Sequence, residues 1–235
     1  MIDSVDWFMV NGVSSKTIPD LYVDTPSVPP MAKQRYTRYQ TGADEDGVSP
    51  DNTFEDLSYP LTFYTFNRKS FDNSDIYSFL ANPRTLQISR LNGFYFKVNE
   101  VEIGNPENVS QGMKIRYNVN FRLAPFKYLT DNPEISVMSG SIVTNTGTRY
   151  SRPVFRIVGT GDIKLNVNGA VFEVNGLTEN QQVIIDSSRY ITYSGNNLFY
   201  AKTKGQYPFL AVGNNLISWE GNISSVNVTK NERCY

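Results

Sequence analysis

"KIRYNVNFRLAPFKYL", residues 114–129, is the stretch on which the reading of this chain turns. Ile115, Tyr117, Val119, Phe121 and Leu123 recur at every second position, and Lys114, Arg116, Asn118, Asn120 and Arg122 fill the places between. Successive strand side chains point to opposite faces, so this pattern predicts a β-strand with one face in a core and the other in water. Pro125 cannot donate to a ladder, which predicts that the strand stops there. Phe126, Tyr128 and Leu129 follow the expected bend, and a strand end so rich in apolar side chains marks the end of a domain.

The same texture extends in both directions. Short alternating runs are separated by Gly, Asn, Asp and Pro, an all-β pattern. "VDWFMV" (5–10) leads into Asn11-Gly12, which suits a tight hairpin because both central residues of a type I′ turn need positive φ. "PLTFYTFNR" (60–68) and "LNGFYFKVNEVEIG" (91–104) are aromatic and β-branched, as half-buried strands are. One short helix is predicted in "DNSDIYSFLANP" (72–83). There Ile76, Phe79 and Leu80 share a face, Asp72 or Ser74 can cap the start, and Pro83 provides the stop.

Residues 131–150 are polar and weakly patterned, with one Pro and two Gly, and read as a linker. The predicted organisation is a first β domain over 1–130, a linker over 131–150 and a second β domain over 151–235. Beyond the linker, "RPVFRIVGTGDIKLNVNGAVFEVNGL" (152–177) contains its own register test. If Asn168-Gly169 is a two-residue turn, Leu165 faces Phe172 and Ile163 faces Val174, so apolar meets apolar at both pairs. Further strands are predicted at "QQVIID" (181–186), "RYITYS" (189–194), "NLISWEG" (215–221) and "VNVT" (226–229).

Composition narrows the function. Of the 235 residues, 40% are hydrophobic and 13% aromatic, enough for two cores and against disorder. Charged residues make up 19%, below the roughly 25% usual for soluble domains, which suits surfaces that partners cover. The net charge of −1, with no Lys/Arg block, argues against nucleic acid as a partner. The chain has no histidine, which removes Ser-His-Asp and Cys-His catalysis and any zinc site built from Cys and His. The single cysteine, Cys234, cannot close an intrachain disulfide. "MIDSVDWFMVNGV" lacks a basic leader followed by an apolar run, so no signal peptide is expected, and no apolar window is long enough to predict a membrane span.

Three groups of residues could carry chemistry. Asp44, Glu45 and Asp46 in "GADEDGV" (42–48) could offer oxygen ligands to Ca²⁺, yet the EF-hand spacing is absent and a solvated loop tip is the expected reading. Asp162 with Asp186, or Glu173 with Glu179, could be a glycosidase pair only if a cleft fixed their separation, which spacing alone does not supply. Trp219, Tyr193, Tyr200 and Tyr207 could stack on sugar rings, but Trp219 shares a strand face with Ile217 and is expected in the core. The sequence therefore predicts no catalytic, cofactor-binding or metal-binding residue, and not an enzyme.

The order of these pieces resembles the siphophage distal tail protein family, Dit, over nearly the whole chain. In the first half the likeness rests on the aromatic strand with Phe66-Asn67-Arg68, the short helix, the strand after Pro83 and the strand closing in Phe121-x-x-x-Pro125. In the second it rests on "RPVFRIVGTGDIKLNVNG" (152–169), "VIIDS" (183–187) and "YPFLAVGNNLISWEG" (207–221). The resemblance implies an amino-terminal β-sandwich or barrel-like domain that forms a homohexameric ring, with a carboxyl-terminal galectin-like β-sandwich on its rim. It implies a virion structural protein at the tip of a non-contractile phage tail, assembled in the host cytoplasm. Such a ring joins the major tail protein of the tube to a tail-associated lysin or tip protein and anchors receptor-binding proteins. The chain has no room for the inserted carbohydrate-binding module of larger members, which favours a purely structural role. The rival expectation is a monomeric carbohydrate-binding β-sandwich, an adhesin or accessory module.

Overall fold

The computed structural model describes residues 6–40, 46–66, 73–109 and 114–235. These form two compact units: residues 1–127 with Tyr235, and residues 128–234. Both are built almost wholly of strands.

In the first unit the strands are β1 (Phe8–Val10), β2 (Val13–Ser14), β3 (Leu21–Val23), β4 (Gln34–Gln40), β5 (Asp46–Phe54), β6 (Leu57–Phe66), β7 (Thr85–Ile88), β8 (Phe94–Ile103), β9 (Glu107–Val109) and β10 (Lys114–Leu129), with helix α1 at Ser74–Leu80. The main sheet runs β2-β1-β7-β8-β10-β6-β3, with β9 added on β10. β6 and β10 form its spine, paired antiparallel from Lys114↔Phe66 to Leu123↔Leu57. Their alternation is the cause of the core. Leu57, Tyr59, Leu61 and Phe63 of β6 and Ile115, Tyr117, Val119, Phe121 and Leu123 of β10 all point inward and are buried. Phe63 stacks on Tyr117 with ring centroids 5.0 Å apart, and Phe8 leans on Phe63 at 5.5 Å. The Tyr59 hydroxyl donates to the Ser27 carbonyl at 2.8 Å, so that phenol is buried with its polar end satisfied.

Ile76 and Leu80 of α1 are buried in this core, as their spacing requires. The N-cap is Asn73, whose side chain makes no capping bond but accepts a hydrogen bond from the Tyr117 hydroxyl. Of the two expected caps, Ser74 is instead the first helical residue and Asp72 lies outside the described residues. Asn67-Arg68 also lie outside them.

Pro125 does not end β10, contrary to the expectation from sequence: the strand continues to Leu129. Pairing with β6 already ends at Leu123, so no ladder bond to β6 is asked of the proline nitrogen. The extra residues have work of their own. Phe126 packs edge-on against Phe54 at 5.1 Å and lies 5.9 Å from Tyr235, while Leu129 donates its N–H to the Glu232 carbonyl.

The second unit contains β11 (Glu134–Val137), β12 (Ser141–Asn145), β13 (Val154–Val167), β14 (Ala170–Asp186), β15 (Ile191–Ser194), β16 (Asn197–Leu198), β17 (Thr203–Gly205), β18 (Gly213–Thr229) and β19 (Arg233–Cys234). The expected linker over 131–150 is overturned, because β11 and β12 both lie in it and both pair with β18. Short runs such as "EISV" and "SIVTN" carry too few apolar residues to register as strands, but each covers a stretch of β18 that would otherwise be an edge.

β13, β14 and β18 are long, and each is bent in the middle. The β13–β14 and β13–β18 ladders run regularly on either side of residues 158–164 and shift register within them. These shifts are β-bulges, which bend a strand and sharpen its twist. The bend is written in glycine. Gly221 has φ +98, and a Cβ there would lie 2.5 Å from the Asp162 carbonyl oxygen; Gly161 has φ +74. The Asp162 carboxylate accepts from the Gly176 N–H at 2.8 Å and fixes the facing strand. The bend folds one continuous sheet onto itself. Phe155, Ile157, Val183, Ile185, Val226 and Val228 from one half share a core with Ile163, Leu165, Val167, Phe172, Val174 and Ile217 from the other.

Both predicted turns are present. Asn11 and Gly12, and Asn168 and Gly169, have positive φ throughout. The second sets Leu165 opposite Phe172 and Ile163 opposite Val174.

Candidate functional site

Two features stand apart from the cores. The first is the β4–β5 ribbon, a two-stranded sheet that pairs with no other strand among the described residues. Its base is tied by a hydrogen bond from the Glu55 N–H to the Lys33 carbonyl, 2.9 Å. Beyond that base, Arg35, Tyr36, Thr37, Arg38, Ser49 and Thr53 are all exposed. Among its described side chains the ribbon contributes no buried residue to the core of its unit, and Phe54, at its foot, packs partly against it. Leading into it, Val28 and Met31 are 57% and 70% exposed, and Tyr36 on the ribbon is 56% exposed.

The second is a cleft of about 230 Å³ on the second unit, walled by Tyr150, Tyr190, Tyr207 and Phe209, with Arg152 and Ser187 between them. Buried amides set its two walls. Asn145 donates to the carbonyls of Arg149 and Leu210, and Asn215 donates to those of Ala211 and Gly213 while accepting from the Ala211 N–H. Ser151 and Leu210 then exchange both backbone hydrogen bonds, at 2.8 and 3.0 Å, which ties the 149–153 segment to the 206–212 segment.

The aromatic side chains are held against one another. Tyr190 meets Tyr207 edge-on at 5.7 Å, Tyr207 rests on Phe172 of the core at 4.7 Å, and Tyr150 meets Phe209 at 5.8 Å. The Arg152 guanidinium lies 4.7 Å from the Tyr190 ring centre, in cation–π range. Burial raises the Tyr150 phenol, but hydrogen bonds and charge from Arg233 and Arg152 outweigh it and hold the group below its ordinary 10.0. Ser187 is 1% exposed and its hydroxyl has no hydrogen-bond partner among the described residues. Leaving such a group unpaired costs about 1–3 kcal/mol.

The residues singled out from sequence are mostly elsewhere. Asp186 pairs with Val154 at the outer end of the ladder, far along the strand from Asp162 at the bend. Both are structural: Asp186 accepts from Ser188 and Arg189, and Asp162 from Gly176. Glu173 is paired across the sheet with Lys164 on one side and Lys204 on the other, and Glu179 is exposed further along β14. No cleft unites either pair. Trp219 packs partly buried on the core opposite Leu165, as expected. Of the four aromatics, Tyr207 alone lines the cleft; Tyr193 is half-buried on β15, and nothing is described of the Tyr200 side chain.

Asp44 and Glu45, and the side chain of Asp46, lie outside the described residues. Among the described residues no three His, Cys, Asp or Glu side chains gather as a metal site. Sequence reasoning missed Tyr150, Arg152, Tyr190 and Phe209. Aromatics beside turn residues in "RYSRP" (149–153) and "QYPF" (206–209) are the signal that could have found them.

A chain of two all-β units, one with a free ribbon and one a sheet folded on itself at a glycine bend, is a specific architecture. No family model matches the sequence, and no curated protein matches it. Among solved structures it is similar to the Dit (gp 19.1) protein of SPP1, a paradigm of the hub adsorption apparatus in phages infecting Gram-positive bacteria. The TM-score is 0.66 over 97% of this chain and 98% of that chain, at 12% identity. The chain has the Dit fold, as the resemblance in its sequence implied.

Proposed function

We propose that this protein is a virion structural protein, a closed homohexameric ring at the tail tip of a non-contractile phage that joins the tail tube to the tip apparatus. The observation that carries the proposal is the β4–β5 ribbon. A lone two-stranded hairpin is marginal in water and needs a surface to pack on. The described side chains of the ribbon beyond Phe54 are exposed on their own unit. A neighbouring copy supplies a surface, and an arm laid on the next subunit is a heterologous contact, which closes into a ring when the rotation allows. The exposed Val28, Met31 and Tyr36 lie along that arm and its approach. The Dit fold supports the same reading, with the tube on one side of the ring, a tail-associated lysin or tip protein on the other, and the second unit, galectin-like in its folded sheet, on the rim beside receptor-binding proteins. This is a scaffold role, without catalysis or cofactor.

Light scattering over a concentration series tests it. The full chain should reach a ring of six, roughly 160 kDa for a chain of 26.6 kDa. A variant with residues 34–54 replaced by a short Gly-rich turn across the Lys33–Glu55 base should stay monomeric at every concentration. A full chain that is monomeric throughout, and absent from tail particles in negatively stained images, would overturn the ring.

A further inference from the structure

We propose that the aromatic cleft of the second unit binds a saccharide unit carrying a negative charge, a carboxylate or a phosphate. The inference goes beyond the ring and does not depend on it, because every wall of the cleft comes from one unit of one chain.

Charge comes first. Arg152 has no carboxylate partner among the described residues; its guanidinium lies over the Tyr190 ring, and its charge helps hold the Tyr150 phenol below its ordinary value. Asp186, next to Ser187 in the chain, is already engaged by Ser188 and Arg189. The guanidinium therefore faces the cleft as a donor fork for an anion, the role for which its planar geometry is suited.

Shape comes second. A bare anion has no use for aromatic walls, whereas a pyranose has an apolar C–H face that lies on a ring and hydroxyls around its rim. Tyr190 is 49% and Phe209 42% exposed, so both present open ring surface. Tyr190 is held at φ +56, an uncommon conformation for a bulky side chain and one that clusters at binding sites. The buried, unpartnered Ser187 hydroxyl and the Gln206 side chain give the cleft polar groups of the kind that sugar hydroxyls meet. A cleft of about 230 Å³ is below the roughly 300–1,000 Å³ of drug-sized sites, the scale of a single ring.

A peptide strand fits less well. The backbone of Ser151 and Leu210 is already paired to itself, so that bridge offers no open edge to a partner strand.

Isothermal titration of the full chain decides the matter, with four probes: tetragalacturonate, glucose 6-phosphate, neutral maltotetraose and inorganic phosphate. A charged sugar should bind, with maltotetraose and inorganic phosphate each at least about tenfold weaker. Arg152→Gln should weaken the charged sugar at least about tenfold, and Tyr190→Ala at least about fivefold. Because Tyr190 is half exposed, its truncation leaves a folded protein, so the test survives if Arg152→Gln does not fold. No binding of either charged sugar, equal binding of the neutral one, phosphate alone binding as tightly, or affinity unmoved in both variants would each overturn the site.

Discussion

The second unit finishes its own sheet, and the ribbon of the first unit does not. In β13, β14 and β18 the chain bends at glycine so that two halves of one sheet bury each other. In β4 and β5 the same kind of polypeptide makes a ribbon whose described side chains beyond its foot are exposed. An all-β chain can thus close its strands internally or leave them for a neighbour.

Cutting the chain gives the largest expected contrast. A fragment of residues 128–235 should unfold cooperatively on heating, since it holds all the strands of the folded-over sheet. A fragment starting at residue 146 should not, because it loses β11 and β12 and uncovers β18 along both halves. Calorimetry of the two fragments checks this. A cooperative transition in the shorter one would mean that the folded-over sheet closes without its outer strands.

Next in size is the bend. Gly221→Val puts a β-branched side chain at φ +98 with its Cβ against the Asp162 carbonyl, and should cost about 3 kcal/mol or more. Gly169→Val meets no neighbouring atom at its Cβ and should cost only about 1 kcal/mol, for the positive φ alone. Chemical denaturation of both variants measures the gap. Equal losses would show that the bend tolerates a close approach.

A smaller, pH-dependent effect belongs to the first unit. Burial pushes the Tyr59 phenol up to about 12, with the Ser27 contact offsetting part of that rise. In the unfolded chain the group ionises near its ordinary 10.0. The stability it contributes is therefore complete below pH 10 and is lost as pH climbs toward 12, at most about 2–3 kcal/mol. Denaturation at pH 8 and pH 11.5 should show the loss in the full chain and much less of it in Tyr59→Phe. An equal loss in both proteins would assign the effect to other groups.

What the sequence made legible follows from these contrasts. Period-two alternation in β6 and β10 and the Asn-Gly turns were readable because each is a local rule with a single physical cause: side chains alternate, and positive φ favours Asn and Gly. The bends were harder. Asn175-Gly176 in β14 and Gly221-Asn222 in β18 look like strand ends, so "AVFEVNGL" and "QQVIID" read as two strands, although β14 runs through both. Whether a glycine breaks a strand or bends it depends on what the neighbouring strand does, and that is a tertiary fact. β11 and β12 were lost in a supposed linker for the same reason, since their apolar residues acquire meaning only against β18. The cleft was the least legible part. Its walls come from residues 150–152, 187–190 and 206–209, brought together by the Ser151–Leu210 bridge and by two buried asparagines that read as ordinary turn residues.

The smallest expected effect on stability tests the ribbon most sharply. Tyr36 is 56% exposed and lies on a strand that pairs only with β5 among the described residues, so Tyr36→Ala should change the stability of a dilute, monomeric sample by no more than about 0.5 kcal/mol. If the ribbon lies on a neighbouring copy, the same side chain becomes a buried aromatic in an interface, the type of residue that dominates such contacts. Assembly should then demand at least about tenfold more protein, a loss of more than 1 kcal/mol per contact. Denaturation at low concentration and sedimentation at high concentration read the two numbers on one variant. A large loss in the monomer would mean that the ribbon packs on its own subunit, and the contrast between the two regions would fail. An unchanged assembly midpoint would take Tyr36 out of the contact and leave the exposed Val28 and Met31, just before the ribbon, to carry it.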